Sequence, residues 1–176
     1  MNTLQIVPEI QQSTNSGNFP KILVAVDYLD STAEIFQKAL NLAQQNNSEL
    51  MIFHCVVGQM LGMPEIATAT SIGVYGGIYS KDMLQLSEQL ATETLEELQA
   101  WLRSLGNKAI KLGIKANFEY SVGEPGQKIC HQAQEWGADL IIIGRRGRKG
   151  LAEILLGSVS NYVLHNAPCS VLVIQH

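Results

Sequence analysis

Apolar residues fall along this chain in two alternating rhythms: short unbroken runs, and longer stretches in which they recur every three or four positions. Unbroken runs mark strands buried on both faces, and the three-to-four spacing marks the apolar stripe of a helix. Lys21-Ile-Leu-Val-Ala-Val-Asp27 is the first such run, and Ser31-Thr32 can cap a following helix in which Ala33, Phe36, Leu40 and Ala43 share one face. Glu49 to Val57 is a second buried strand. A β-α-β unit this short requires parallel strands and a right-handed crossover.

Residues 58–80, rich in Gly, Met and small side chains, interrupt the rhythm and are longer than an ordinary connection. Lys81 to Leu112 then reads as one long helix, with Leu84, Ala91, Leu95, Leu98, Leu102, Leu105 and Ala109 on a stripe and Glu88, Glu93, Glu96 and Arg103 mostly off it. The near-heptad spacing admits a coiled-coil seam, but packing on a sheet is the simpler expectation. Gly113 ends the helix. Ile114 to Val122 alternates, as a strand near a sheet edge does. Gly123-Glu124-Pro125 opens a helix that runs to Trp136-Gly137. Asp139 to Ile143 is the most apolar strand and is expected to be central. A helix follows from Gly157-Ser158 to about His165-Asn166, stopped by Pro168, and Ser170 to Ile174 is the last strand. Five strands and four helices in strict alternation predict an open α/β sandwich, a five-stranded parallel sheet with helices on both faces.

The composition fits one domain of 176 residues: 46% hydrophobic and 16% charged, enough apolar material for a core and too much for a disordered chain. Residues 1–19 are polar and read as a flexible arm before a single domain over 20–176. Formal net charge is −4, which disfavours generic nucleic-acid binding. The first basic residue is Lys21, so the positive start of a secretory signal is missing. Residues 50–80 carry one charge, Glu65, but Pro64 and several glycines and hydroxyls break them, so no membrane span is expected. Cys55, Cys130 and Cys169 are odd in number and lack CxxC spacing, which fits free thiols in a cytoplasmic protein.

Ligands of such sheets bind beyond the carboxyl ends of the strands, where the strand order reverses. With the order 3-2-1-4-5 that crevice lies between strands one and four. Asp27-Tyr28-Leu29-Asp30-Ser31 after strand one lacks the GxGxxG of a dinucleotide site. After strand four comes Gly144-Arg145-Arg146-Gly147-Arg148-Lys149-Gly150, and then the helix at Gly157-Ser158. Glycines let main-chain N–H groups approach a phosphate, a helix N-terminus adds free N–H groups, and Ser158 and Ser160 add hydroxyls. Four of the chain's 12 cationic residues lie between 145 and 149. Lys149-Gly150-Leu151 departs from the Gly-Lys-Ser/Thr of a Walker loop.

The pattern Gly144-x2-Gly147-x9-Gly157-Ser158 resembles the G-x2-G-x9-G-[ST] nucleotide-binding signature of the universal stress protein family. The opening Ile22 to Asp27 and the close Asn166-Ala-Pro-Cys-Ser-Val-Leu-Val-Ile174 are similar to that family too, so the resemblance covers residues 20–175. It implies an adenine nucleotide alpha hydrolase-like fold that binds ATP, AMP or another adenine nucleotide. By family position, Gly144, Arg146, Gly147, Gly157 and Ser158 would surround phosphate and ribose, flanked by Ile143, Val159 and Ser160. Asp27, with Ala25 and Val26, would lie against the nucleoside, and the backbone of Val56 or Val57 would meet the adenine edge. Asp27 is also a candidate Mg2+ ligand acting through the nucleotide. Many family members have Gly-Ser after the Asp, whereas this chain has Tyr28-Leu29-Asp30-Ser31.

Nothing near the loop offers an obvious general base, so hydrolysis is expected to be absent or slow. His54 reads as a core or interface histidine, and Cys55 and Cys130 as small buried groups. The resemblance implies a homodimer through the apolar edge strand Ser170 to Ile174. Residues 58–80 are a second candidate contact, a lid, or simply a loop. The expected function is a nucleotide-binding regulatory or stress-response protein with a further protein partner and no nucleic acid or membrane. The rivals are a slow ATPase or nucleotidyl-transfer enzyme on the same scaffold and a nucleotide-free dimeric scaffold. A phosphoacceptor receiver is disfavoured, because Asp27 has no acidic pair and residues 170–176 contain no lysine.

Overall fold

A computed structural model describes residues 19–28, 32–57, 81–145 and 156–175. The expectations for the arm, for Leu29-Asp30-Ser31, for residues 58–80 and for Arg146 to Leu155 lie outside the described residues. The elements alternate as the periodicity predicts: β1 (Lys21–Ala25), α1 (Thr32–Asn46), β2 (Glu49–Val56), α2 (Lys81–Lys111), β3 (Ala116–Val122), α3 (Pro125–Trp136), β4 (Leu140–Gly144), α4 (Ser158–Asn166) and β5 (Ser170–Ile174). All four strand pairings are parallel, and the sheet order is β3-β2-β1-β4-β5.

This order follows from two crossovers in one direction and two in the other. From β1 the chain steps outward through α1 to β2 and through α2 to β3. It then returns through α3 to the far side of β1 and steps outward again through α4 to β5. Right-handed crossovers that reverse direction place their helices on opposite faces. Two cores result. On one side Ile35, Phe36, Ala39, Leu40 and Ala43 of α1, with Leu98, Leu102, Leu105 and Ala109 of α2, pack on Ile22, Val24, Leu50, Ile52 and Ile142. On the other, Ile129 and Ala133 of α3 and Val163 of α4 pack on Leu23, Met51, Phe53, Ile141 and Ile143. Alternate residues of β1, β2 and β4 serve opposite faces, which is why their sequences are continuously apolar.

The lower half of α2 therefore packs on the sheet rather than in a coiled-coil seam. Higher on the helix Leu86 and Leu90 stay 57% and 54% exposed; the side chains of Leu84 and Glu88 lie outside the described residues. β3 is an edge strand, as its alternation predicts. β4 is interior but beside the middle strand, which is β1. Strand ends differ from expectation by one or two residues: β1 stops at Ala25, and Val26 and Asp27 form the first stretch of the following loop. Ile114 lies in the turn that follows α2, not in β3. Its N–H bonds the Ala109 carbonyl (3.1 Å) across the left-handed turn at Gly113, where φ is +77°. Among the described residues no helix is long and apolar enough to cross a membrane.

α3 and α4 approach closely at one point. A Cβ on Gly126 would lie 2.8–2.9 Å from three ring-proximal carbons of Tyr162. Only hydrogen fits there, and this close approach draws α4 in against α3 and fixes where its N-terminus meets the sheet.

Candidate functional site

The reversal of direction leaves β1 and β4 side by side with connections that depart to opposite sides, so a cleft opens above their carboxyl ends. It encloses about 260 Å3. Its floor is the end of β1 (Ala25) and of β4 (Ile143, Gly144), and one wall is the N-terminus of α4 from Gly157 to Ser160. The opposite wall comes from the β1–α1 turn (Val26, Asp27, Tyr28) and the end of β2 (Phe53 to Cys55, and Val57). Pro125 and Ile129 of α3 close it from one face of the sheet and Ile35 of α1 from the other.

The α4 wall is built to receive negative charge. Gly157 is the N-cap in an extended conformation (φ −60°, ψ 155°) and has no side chain with which to cap the helix. The N–H groups of the first helical turn have no partner within the helix and carry its partial positive charge. The Ser160 hydroxyl is already committed, because it donates to the Gly157 carbonyl (3.0 Å). Ser160 therefore offers its main-chain N–H, and Ser158 offers both hydroxyl and N–H. Across the floor, the main-chain N–H of Arg145 is tied to the Ile174 carbonyl (2.8 Å), while its buried Nε has no hydrogen-bond partner among the described residues. A buried donor on a guanidinium is costly to leave without a partner, and Arg145 brings that positive group to the lining of the cleft.

The other wall is a fixed turn. The Thr32 hydroxyl, at the start of α1, accepts the Asp27 N–H (3.2 Å) and donates back to Asp27, whose carbonyl and Oδ1 (3.0 Å) both lie within reach. This clasp aims the Asp27 carboxylate along the turn. Behind it His54 is only 4% exposed, and its Nδ1 lies 2.8 Å from the Val26 carbonyl, so the neutral ring carries its proton on Nδ1. Tyr28 stacks on Trp101 of α2 and meets His54 edge-on. The Cys55 thiol donates to the Gly123 carbonyl (3.3 Å), and burial pushes its pKa up to about 11. It is a protonated, unreactive thiol at neutral pH. Burial likewise raises Cys130 and Cys169.

Burial depresses the His54 pKa more than the Val26 carbonyl and Asp27 raise it. The unfolded chain then binds this proton at higher pH than the folded one. The contribution of His54 to stability is therefore complete above its unfolded value, about 6.5, and is lost as pH falls through that value toward the folded one. The loss is at most about 1.4 kcal/mol per pH unit. Urea titrations at pH 7.5 and 5.5 should show wild type losing more stability on acidification than His54→Gln. Equal losses would show that this ring does not titrate differently in the two states.

Of the residues expected from the sequence, Ala25, Val26, Asp27, Val57, Ile143, Gly144, Gly157, Ser158, Val159 and Ser160 all line the one cleft. Val56 does not. Its side chain is buried against the α1–α2 face, and its carbonyl accepts the Gly123 N–H (3.0 Å). Arg146 and Gly147 lie outside the described residues. Sequence reasoning did not reach the contributions of Phe53, Pro125 and Ile129. Phe53 could have been found from the alternation in β2, since Phe53 and Cys55 share the face that α3 covers. Among the described residues no three His, Cys, Asp or Glu side chains gather as a metal site. A Mg2+ ion here would depend on phosphate oxygens, with Asp27 as one protein ligand.

A family model described as the universal stress protein family matches residues 18–175. The universal stress protein Sll1388 of Synechocystis is 39% identical over 162 residues, spanning 90% of this chain and 99% of its own. The solved structure of MJ0577, a universal stress protein of Methanocaldococcus jannaschii, superposes with a TM-score of 0.70 at 21% identity, covering 90% of this chain and 97% of that one. A universal stress protein crystallised in complex with cAMP superposes with a TM-score of 0.60 at 21% identity, covering 90% and 98%.

Proposed function

Because this chain belongs to the universal stress protein family, we propose that its cleft binds an adenine nucleotide, ATP or AMP, and that the protein acts as a nucleotide-responsive regulatory dimer in the cytoplasm. The reading rests on one observation above the others: a helix N-terminus with no side-chain cap forms a wall of the cleft at the point where the sheet reverses direction, with Arg145 also lining it. In this reading the phosphates sit against the first turn of α4, held by Gly157 and Ser158 with Gly144, Arg146 and Gly147. The nucleoside lies toward β2, against Ala25, Val26 and Asp27, with the Val57 backbone at the base. A relative of the same fold crystallised with cAMP supports the choice of ligand class.

The rest of the reading concerns organisation. Residues 20–176 act as one nucleotide-binding domain after a short arm. The exposed edge of β5, where Leu172 is outward-facing, pairs with a second copy. Mg2+ accompanies a triphosphate ligand.

Two measurements test this. The first is mass spectrometry of whatever small molecule is released when the purified protein is denatured. The second is thermal shift with ATP, AMP, GTP and cyclic adenine dinucleotides. Ligand at a hundred times its Kd contributes about 2.7 kcal/mol, which raises Tm by about 5–10 °C in a chain of this size. Failure of every nucleotide to raise Tm at millimolar concentration would overturn the reading.

A further inference from the structure

We propose that Tyr28 is the residue by which this cleft selects a ligand bearing a flat aromatic ring, and that Trp101 is its positioning residue. The inference rests on the nucleotide reading above and specifies how the ring end is recognised. Tyr28 directly follows Asp27 and lines the cleft, on the side toward β2 and away from the α4 N-terminus. Its ring is held from behind: it stacks on Trp101 at 4.4 Å between centroids and 26° between planes, and meets His54 edge-on at 5.4 Å and 71°. His54 and Trp101 are themselves edge-to-face at 5.6 Å and 87°. The His54 ring is locked by its bond to the Val26 carbonyl, and Trp101 is anchored in the packed part of α2 beside Leu98, Leu102 and Leu105.

Two rings, one from β2 and one from α2, thus fix one orientation of the tyrosine. Yet Tyr28 remains 50% exposed. A tyrosine needed only to pack the turn on α2 would gain by burying its second face. Here one face stacks on Trp101, and half of the residue stays exposed where it lines the cleft. A preorganised aromatic face stacks on any nucleobase without further loss of side-chain freedom. It has no corresponding attraction for a sugar phosphate. The site then has two specialised ends: N–H groups and a guanidinium for the phosphates beside β4, and an aromatic shelf for the base beside β2.

The test compares AMP and ribose 5-phosphate binding by the full chain, with urea midpoints measured in parallel. Tyr28→Leu should lower AMP affinity about tenfold while leaving ribose 5-phosphate unchanged. Tyr28→Phe should keep AMP affinity within about twofold of wild type on the same grounds. Trp101→Leu should reproduce part of the loss for AMP alone, and adding it to Tyr28→Leu should change nothing further. Equal losses for both ligands, or none for either, would overturn the proposal and show Tyr28 to be packing only.

A second measurement leaves Tyr28 in place. In a Trp136→Phe background, which leaves Trp101 as the sole tryptophan, AMP should change the indole emission and saturating ribose 5-phosphate should not. Identical emission with both ligands would count against the shelf. A wild-type protein that binds no nucleotide would instead remove the nucleotide reading, and this inference with it.

Discussion

Gly157→Asp should weaken nucleotide binding at least about a hundredfold while leaving the protein as stable as before or slightly more so. Gly157 is the N-cap of α4, and its φ of −60° and ψ of 155° are open to any L-residue. Aspartate is among the best N-cap residues, a few tenths of a kcal/mol better than glycine, so the apo protein should unfold at an equal or higher temperature. The same carboxylate would occupy the first-turn N–H groups and place a negative charge where the phosphates are proposed to lie. Two like charges about 4 Å apart near a protein surface repel by about 4 kcal/mol, so a loss of at least about a hundredfold in AMP affinity is expected. Calorimetric titration and a thermal melt of one preparation report both quantities. Opposite signs for stability and affinity separate loss of a ligand site from general damage. Affinity within about threefold of wild type would place the phosphates elsewhere.

Phe53→Ala should remove a large share of the protein's stability. Phe53 is 1% exposed at the centre of the α3–α4 core, among Leu23, Met51, Ile129, Ile141 and Val163. Removing a buried phenyl ring costs about 3–5 kcal/mol, partly in lost transfer energy and partly in the cavity left behind. For a chain of this size that lowers Tm by about 6–20 °C. The shift should appear in the urea midpoint with little change in slope. Leu90→Ala is the control: its side chain is 54% exposed on α2, and its truncation should cost no more than about 0.5 kcal/mol. Similar costs at the two positions would contradict the division of the molecule into two cores around one sheet. Because Phe53 also lines the cleft, the variant should bind AMP more weakly even where it is still folded.

Most of the architecture was legible in the chain because each strand and helix carries its own period. Ile22 to Val24, Leu50 to Phe53 and Leu140 to Ile143 are apolar at every position, and only strands covered on both sides tolerate that. The alternation in β3 identified an edge, and Pro125 and Gly113 marked helix ends through backbone constraints that are local to those residues. The glycine spacing that begins at Gly144 pointed to one cleft, and ten of the residues expected there do line it.

Other features could not be read from any single segment. Tyr28, His54 and Trp101 are far apart in sequence and carry no signal one by one; only parallel pairing of β1 with β2 and packing of α2 across them bring the rings together. The commitment of the Ser160 hydroxyl to Gly157, the exclusion of Val56 from the cleft and the burial of the Arg145 Nε depend on side-chain direction and on neighbours from other elements. Periodicity and turn chemistry are properties of adjacent residues, so the sequence by itself determined the elements, their order and the place where a ligand would enter. Contacts between distant residues depend on register and crossover geometry, so only the tertiary structure decided which side chains face that ligand and which are already spoken for.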